Sequence, residues 1–200
     1  VYKSQPSEAL SARMRLEYRT EDGDGAARDR DTYAVSLGYA SQVNDNWRLL
    51  FNTEAFYSES ADGDFRDGEY VRASLGYAYR PIDNERLNLL FRYTYLNDLP
   101  GEDQVDANGD DEGPHHRANV LSVAAGYDLS QQLTLTGKLA YRMSEVADRG
   151  TNDFESNTAT LAALRLDMNV VNQWDMLGEV RMLYTQETGT TETGALVGVY

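Results

Sequence analysis

Two adjacent histidines, His115 and His116, are the only imidazoles in this sequence of 200 residues. They follow Asp110 and Asp111, and a histidine beside a carboxylate can act as a general base that activates water. A hydrolase of this kind needs a second acidic pair nearby, and no serine is spaced to serve as its nucleophile. The sequence therefore offers a hydrolase only as the alternative function, and we expect that the protein is not an enzyme.

Oxygen donors alternate in the run DQVDANGDDEG, just before these histidines. The donors are Asp106, Asn108, Asp110 and Glu112. An EF-hand calcium loop needs glycine at its sixth position and glutamate at its twelfth, where this chain has Asp111 and Arg117. The run is thus a weak calcium candidate in a solvated polar loop, and we expect neither a metal nor another cofactor.

Composition excludes several classes of protein. The chain has no cysteine, which removes thiol catalysis, zinc–thiolate sites and disulfides together. Its formal charge of −15 disfavours a nucleic-acid binder, which would present a basic face. No stretch reaches the roughly 18 to 20 apolar residues of a transmembrane helix. The sequence begins at Val1 without a signal peptide, as expected of a mature product or an excised fragment.

Apolar and polar residues alternate with period two in nine successive runs, the pattern of two-faced β-strands. In one run Trp47, Leu49, Phe51, Thr53, Ala55 and Tyr57 share one face. None of the nine apolar rows contains a charged residue, although 26% of the chain is charged. A tenth run, 194–200, is apolar on both faces, and we predict Leu196, Gly198 and Tyr200 to point outward. The sequence predicts about ten strands.

The connections between these strands alternate in length. Short ones follow every second strand, and long polar ones follow the others. The short connections are 41–46, 81–86, 128–132 and 171–173. Short turns at one rim and long loops at the other are typical of outer-membrane barrels, with the turns in the periplasm. We therefore expect both termini, including a tail of residues 1–7, on the periplasmic side.

Alternation does not show which face meets lipid, because a soluble ligand-binding barrel has the same period. The aromatic residues decide between the two. They cluster at both ends of the apolar rows, as two girdles at the membrane interfaces would. The short-turn girdle comprises Tyr39, Trp47, Tyr79, Tyr127 and Trp174, and the long-loop girdle Tyr18, Tyr33, Tyr57, Tyr95, Tyr141 and Tyr184. The apolar face is predicted to face lipid.

Basic residues then concentrate on the opposite face, which would line the lumen. They are Arg13, Arg15, Arg19, Arg48, Arg72, Arg80, Arg92, Lys138, Arg142, Arg165 and Arg181. The acids predicted to accompany them are Glu17, Glu54, Asp167 and Glu179. The lumen is thus formally +7, which favours an anion-preferring pore or a site for an acidic ligand. The alternative is that these side chains form ion pairs and fill the tube without transport.

Two segments resemble a known family. LGYAYRPIDNERLNLLFRYTYLNDLPGEDQ, at Leu75–Gln104, and the later ANVLSVAAGYDLSQQLTLTGKLAYRMSEV are similar to the C-terminal barrel of large surface-repeat proteins of Gram-negative bacteria. The most specific piece is the turn at Tyr79–Asn88. The resemblance implies a barrel that anchors an upstream repeat region. It also implies two further strands after GALV at Gly194–Val197, hence twelve strands if this chain is truncated.

These observations predict an all-β protein, a transmembrane antiparallel up-and-down β-barrel of about ten strands, with residues 1–200 as one domain. It would lie in the bacterial outer membrane and act as a membrane anchor or as a narrow channel with a basic, anion-preferring lumen. The expected partners are membrane lipid and lipopolysaccharide, with an upstream passenger domain or partner protein as a further candidate and no nucleic acid.

Overall fold

The structure, a computed structural model, describes residues 2–7, 9–21, 30–60, 68–98, 114–148, 153–171 and 174–199. These residues form eleven strands in one antiparallel sheet, in which each strand pairs with the next along the chain. The strands are β1 (Tyr2–Ser7), β2 (Leu10–Glu21), β3 (Arg30–Gln42), β4 (Trp47–Ser60), β5 (Gly68–Tyr79), β6 (Leu87–Asp98), β7 (Pro114–Ser130), β8 (Leu133–Asp148), β9 (Glu155–Val171), β10 (Trp174–Thr185) and β11 (Thr190–Val199). The predicted all-β, up-and-down fold is confirmed.

The ten predicted strands correspond to β2–β11, and β1 is an addition. Residues 1–7 were expected to form a tail, whereas Tyr2–Ser7 pairs with the first part of β2, between Leu10 and Met14, with an irregularity between Ser4 and Ser7. The segment YKSQPS has no apolar row of its own, so the strand pattern could not be recognised in the sequence. It is extended because it lies along the edge of β2.

The edges of the sheet are distinct from its interior. In the described part of the chain, the ladders run without interruption from β1 to β11, and no ladder joins β11 to β1 or β2. Because β1 pairs with β2 only as far as Met14, the remainder of β2 up to Glu21 has only β3 as a described partner. The described residues thus form a continuous curved wall with two free edges.

The strands have the length that a bilayer requires. Trp47 and Tyr57 stand at the two ends of the outer row of β4, ten residues apart, which is about 33 Å along a strand. At the tilt of roughly 40° that is usual for outer-membrane barrels, this spans about 25 Å along the membrane normal, the height of the apolar band in such proteins. Among the described residues, no helix has the length and apolarity to cross a bilayer.

Solvent exposure distinguishes the two faces of the sheet. In β3 the apolar row is exposed, with Tyr33 at 47% and Leu37 at 39%. Ser36 and Gly38, which alternate with this row, are half-buried. The same alternation continues in β9, where Leu164 is 49% exposed. An exposed apolar row is the arrangement of a barrel wall whose outer face meets lipid. We call this the outer face, and the opposite one the inner face.

The predicted register of the last strand is wrong. Val180 pairs with Ala195 and Glu179 with Leu196, so Leu196 lies on the inner face, as does Gly198. The outer positions are Ala195, Val197 and Val199 instead. Tyr200 lies outside the described residues. Since both faces of this strand are apolar, the pattern leaves the register undetermined. The hairpin turn fixes it: Gly189 has φ of 61°, and its N–H donates to the carbonyl of Gln186 (3.2 Å).

The contrast in connection length is smaller than the sequence predicted, because the strands extend into the loops. The connection 80–86 at the short-turn rim has the same length as 61–67 at the other rim. The contrast persists in the remaining cases, with 131–132 at the short-turn rim and 99–113 at the long-loop rim.

Candidate functional site

Ten of the eleven basic residues predicted for the lumen lie on the inner face, because their register partners are inner-face residues, whereas Arg80 follows the last residue of β5 and has no register partner. One cross-strand row shows this most simply. Its members, from β2 to β8, are Arg13, Gly38, Asn52, Ser74, Thr94, Val120 and Arg142. The row places Arg13 and Arg142 six strands apart on the same face. Small and neutral residues fill the positions between them, which leaves space above the wall.

A cavity of about 670 Å³ lies on this face, in the middle of the wall formed by β2–β6. Its charged lining residues are Arg13, Arg72 and Arg92, and no acid of the described part of the chain lines it. The neutral polar groups of Asn52 and Ser74 complete the polar part of the lining. We call this cavity the arginine pocket.

Glycines shape the arginine pocket. A β-carbon placed on Gly38 would lie 3.5 Å from Oδ1 of Asn52 and 3.8 Å from Nε of Arg13. Both side chains therefore lean over the bare backbone of Gly38. A β-carbon on Gly76 would lie only 3.3 Å from Cβ of Leu50, so the floor of the pocket is tightly packed there.

A second cavity, of about 660 Å³, lies nearer the short-turn rim. It shares Leu50 with the arginine pocket, so the two spaces adjoin along the inner face. Arg48 and Arg80 line it, but so do the turn residues Asp45 and Glu85. The mouth at this rim thus carries both signs of charge, whereas the charged residues described around the arginine pocket are all arginines.

Three of the predicted basic residues form ion pairs, each with an acid two positions along the same strand. Arg15 pairs with Glu17, and Arg19 with Glu21. In β9 the guanidinium of Arg165 donates to Asp167, with Nε at 2.9 Å and Nη2 at 2.6 Å from Oδ1. These are local pairs rather than a ladder across strands.

The other predicted basic residues have no carboxylate within 4.0 Å among the described residues. They are Arg13, Arg48, Arg72, Arg80, Arg92, Lys138, Arg142 and Arg181. The predicted acid Glu54 is the register partner of Arg72 but forms no ion pair with it, and Glu179 is the register partner of Arg165. A cation that is not neutralised by a fixed carboxylate is available to a mobile anion.

The predicted excess of seven positive charges counts only part of the acids that the register places on the inner face. Five more acids share that face: four because the strands extend further than the pattern indicated, and Asp175 because it lies between Trp174 and Met176 within a predicted run. They are Glu21, Asp128, Glu155, Asp175 and Glu192. Three of them already have partners: Glu21 pairs with Arg19, Thr134 donates to Asp128 (2.7 Å), and Asn169 donates to Asp175 (2.8 Å). All five lie at or near strand ends, so the basic character belongs to the middle of the wall.

The two histidines do not converge. His115 and His116 are consecutive in β7 and so lie on opposite faces. Nε2 of His115 lies 3.1 Å from Oδ1 of Asn97, and its ring contacts the edge of Phe154 at 5.4 Å. The aspartates predicted to accompany them, Asp110 and Asp111, lie outside the described residues.

The calcium candidate also lies outside the described residues, since Asp106, Asn108, Asp110 and Glu112 all fall within 99–113. Among the side chains that the structure describes, no three or more of the metal-ligating types gather to form a metal site.

Arg117 is a basic residue that the sequence analysis did not assign to a face. It lies on the outer face near the long-loop rim, where it pairs with Glu145 of β8. Its guanidinium also lies 3.9 Å from the centre of the Phe154 ring. These contacts hold it at the outer surface, apart from the arginine pocket.

Aromatic side chains form bands at both rims of the outer face. Tyr18, Tyr33 and Tyr57 are register partners at the long-loop rim, with ring centres 5.1 Å and 6.4 Å apart. At the short-turn rim Trp47 stacks on Tyr77 at 4.4 Å. Such bands mark the two membrane interfaces of a barrel. Together with the single up-and-down sheet and its exposed apolar face, they define a transmembrane β-barrel protein of the outer-membrane type.

Solved structures carry the same fold. The chain is similar to the siderophore receptor PirA from Pseudomonas aeruginosa, with 10% identity over 98% of this chain and 36% of that one, and a TM-score of 0.73. It is also similar to the ferric citrate transporter FecA (11% identity, 98% and 36% covered, TM-score 0.55) and to the NanC porin (15% identity, 99% and 88% covered, TM-score 0.53).

The chain thus spans about a third of the length of the first two of these proteins. No protein-family model and no curated protein match the sequence. At these identities the likeness shows the fold. The neighbours are outer-membrane β-barrel proteins, and this fold, with the apolar band between two aromatic girdles, places the chain in the bacterial outer membrane.

Proposed function

We propose that this chain forms a narrow channel of the outer membrane that prefers anions. The observation that carries the proposal is the arginine pocket, in which Arg13, Arg72 and Arg92 line one cavity and are the only charged residues among its described lining. Charged side chains that line a pore set its selectivity, because they attract the oppositely charged ion and repel the other.

The size of this effect is sufficient for selectivity. Two unit charges about 7 Å apart interact by roughly 0.6 kcal/mol in bulk water and by roughly 2.4 kcal/mol at an effective dielectric constant of about 20. Three cations around one cavity therefore favour an anion over a cation by several-fold or more. Because salt screens charges beyond about 10 Å at 0.1 M, the preference should weaken as ionic strength rises.

The adjoining cavities support a conducting path. The arginine pocket and the second cavity meet at Leu50 and together extend from the middle of the wall to the short-turn rim. The proposed orientation puts that rim in the periplasm and the long loops outside, where the outer face would contact lipopolysaccharide. This orientation follows from the connection lengths and not from any contact.

An anchor without transport is the second candidate. The resemblance of Leu75–Gln104 to barrels that hold a surface repeat region favours it. Both candidates share the fold and differ in whether ions pass. The barrel hydrolase gains no support from the described contacts, because His115 and His116 lie on opposite faces.

Chloride efflux from liposomes distinguishes the channel from the anchor. Protein reconstituted into vesicles that hold a chloride-sensitive dye should dissipate a chloride gradient faster than empty vesicles. The Arg13→Gln, Arg72→Gln, Arg92→Gln triple variant should do so several-fold more slowly. Efflux no faster than that of empty vesicles, from protein shown to be folded by its heat-dependent gel mobility, would establish the anchor instead.

A further inference from the structure

We infer that the arginine pocket is a binding site for a small organic dianion, held by the guanidinium groups of Arg13, Arg72 and Arg92. The inference deepens the proposed function, on which it rests, because it names the class of solute that the basic wall selects.

The charge of the pocket determines the charge of the ligand. Three guanidinium groups line it, none of them has a described carboxylate within 4.0 Å, and no acid is among the lining residues that the structure describes. A single monovalent anion leaves most of that charge unbalanced, whereas a dianion satisfies two arginines at once. Since the chain as a whole carries −15, the attraction is local to this site.

The geometry of the groups determines their chemistry. A guanidinium presents planar, paired donors that match carboxylate or phosphoryl oxygens two at a time. Arg72 and Arg92 project from adjacent strands, with Arg92 opposite Gly76, and Arg13 leans across Gly38 toward Asn52 from the other side of the pocket. Asn52 and Ser74 add neutral hydrogen-bonding groups between them. Anionic groups at the two ends of one small molecule fit this arrangement.

The volume of the pocket sets the size of the ligand. About 670 Å³ is within the usual range for small-molecule sites and far exceeds the space that a chloride ion needs. The non-polar part of the lining, which includes Leu50 and Ala40, can contact the carbon skeleton between two anionic groups. A short-chain dicarboxylate and a compound with two phosphoryl groups share the required chemistry.

Isothermal titration calorimetry on the full chain in non-ionic detergent tests this inference. The probes are succinate for the carboxylate class, pyrophosphate for the phosphoryl class and acetate as a monovalent comparison. We expect saturable one-to-one binding of succinate or pyrophosphate, at least tenfold tighter than that of acetate. Whichever of the two binds identifies the source of the anionic groups. Absence of saturable binding of both, or equal affinity for acetate, would overturn the inference.

Two variants locate the site. Arg72→Gln should weaken dianion binding about 10- to 100-fold, because it removes hydrogen bonds to a charged group. Arg142→Gln removes one positive charge from the row that contains Arg13 but outside the pocket, and should leave the affinity within twofold. Equal losses in both variants would mean that only the general field attracts the anion and would overturn the site. Arg72→Lys, which keeps the charge and loses the planar fork, replaces Arg72→Gln if the latter does not fold.

The outcomes also distinguish the inference from the proposed function. Chloride efflux without dianion binding would support the channel and contradict the dianion site. Dianion binding without efflux would support the dianion site and contradict the channel, since the pocket would then be a closed recess.

Discussion

Arg13 lies against Gly38 on the inner face: a β-carbon at Gly38 would lie 3.8 Å from both Nε and Nη2 of Arg13. The bare backbone of Gly38 lets this guanidinium lie along the wall instead of across the space above it. The open volume of the arginine pocket thus depends on an uncharged neighbour as much as on the arginines.

Filling the space over Gly38 should narrow the channel. In Gly38→Leu the atoms beyond the β-carbon must displace Arg13 or Asn52, which already lie 3.5 to 3.8 Å from the β-carbon position. We expect a severalfold lower single-channel conductance in planar bilayers, with no charge removed. Gly178→Leu is the matched control, because Gly178 lies on the outer face with nothing within 4 Å of its β-carbon position. Unchanged conductance in Gly38→Leu would show that ions do not pass the pocket.

An introduced arginine should destabilise the protein far more at one position of β8 than at the next. Leu139 is 62% exposed on the outer face, and Ala140 follows it on the inner face. Leu139→Arg should destabilise the protein in lipid vesicles by about 2 to 4 kcal/mol, the cost of arginine on the lipid face near the bilayer centre. Ala140→Arg should cost much less, because it faces the water-filled side. Urea unfolding in vesicles measures both, and similar costs would contradict the assignment of the faces.

The register of β11 can be checked by single cysteines, since the native chain has none. Val197 lies on the outer face and Leu196 on the inner face. A fluorophore on Val197→Cys should be quenched by brominated lipid, whereas Leu196→Cys should react faster with a water-soluble maleimide. The reverse pattern would restore the register that the sequence alone favoured.

The two tryptophans should differ in their contribution to stability. Trp47 contacts the rings of Tyr77 and Tyr79, at 4.4 Å and 4.5 Å between centres, and each such contact adds about 0.5 to 1.5 kcal/mol beyond burial. Trp174 has no ring contact among the described residues. We therefore expect Trp47→Ala to lower the free energy of unfolding by about 1 to 3 kcal/mol more than Trp174→Ala. A larger loss in Trp174→Ala would contradict this account of the girdle.

The sequence predicts most of this fold because period-two alternation fixes which face a residue occupies. It succeeds for β3, where Tyr33 to Tyr39 form an uncharged outer row, and for Arg13 and Arg72 on the inner face. It fails for β11, where both faces are apolar, and for β1, which has no apolar row. In both strands the pairing of neighbouring strands, which is not local information, decides the outcome.

The candidate site could be predicted only in part. Alternation assigns the arginines to one face, but it does not show where a strand ends, so it does not reveal Glu21 and Asp128 as inner-face acids. Nor does it show which cations share a cavity. Arg13, Arg72 and Arg92 come from three strands, and only the cross-strand register places them around one pocket.

The reversal potential in a planar bilayer measures whether the arginine pocket makes the protein prefer anions. With a tenfold gradient of KCl across the membrane, we expect a reversal potential with the sign of the chloride equilibrium potential. The Arg13→Gln, Arg72→Gln, Arg92→Gln triple variant should shift it toward zero. A reversal potential with the sign of the potassium equilibrium potential would show that the protein prefers cations. A value that the triple variant leaves unchanged would show that these arginines do not set the preference.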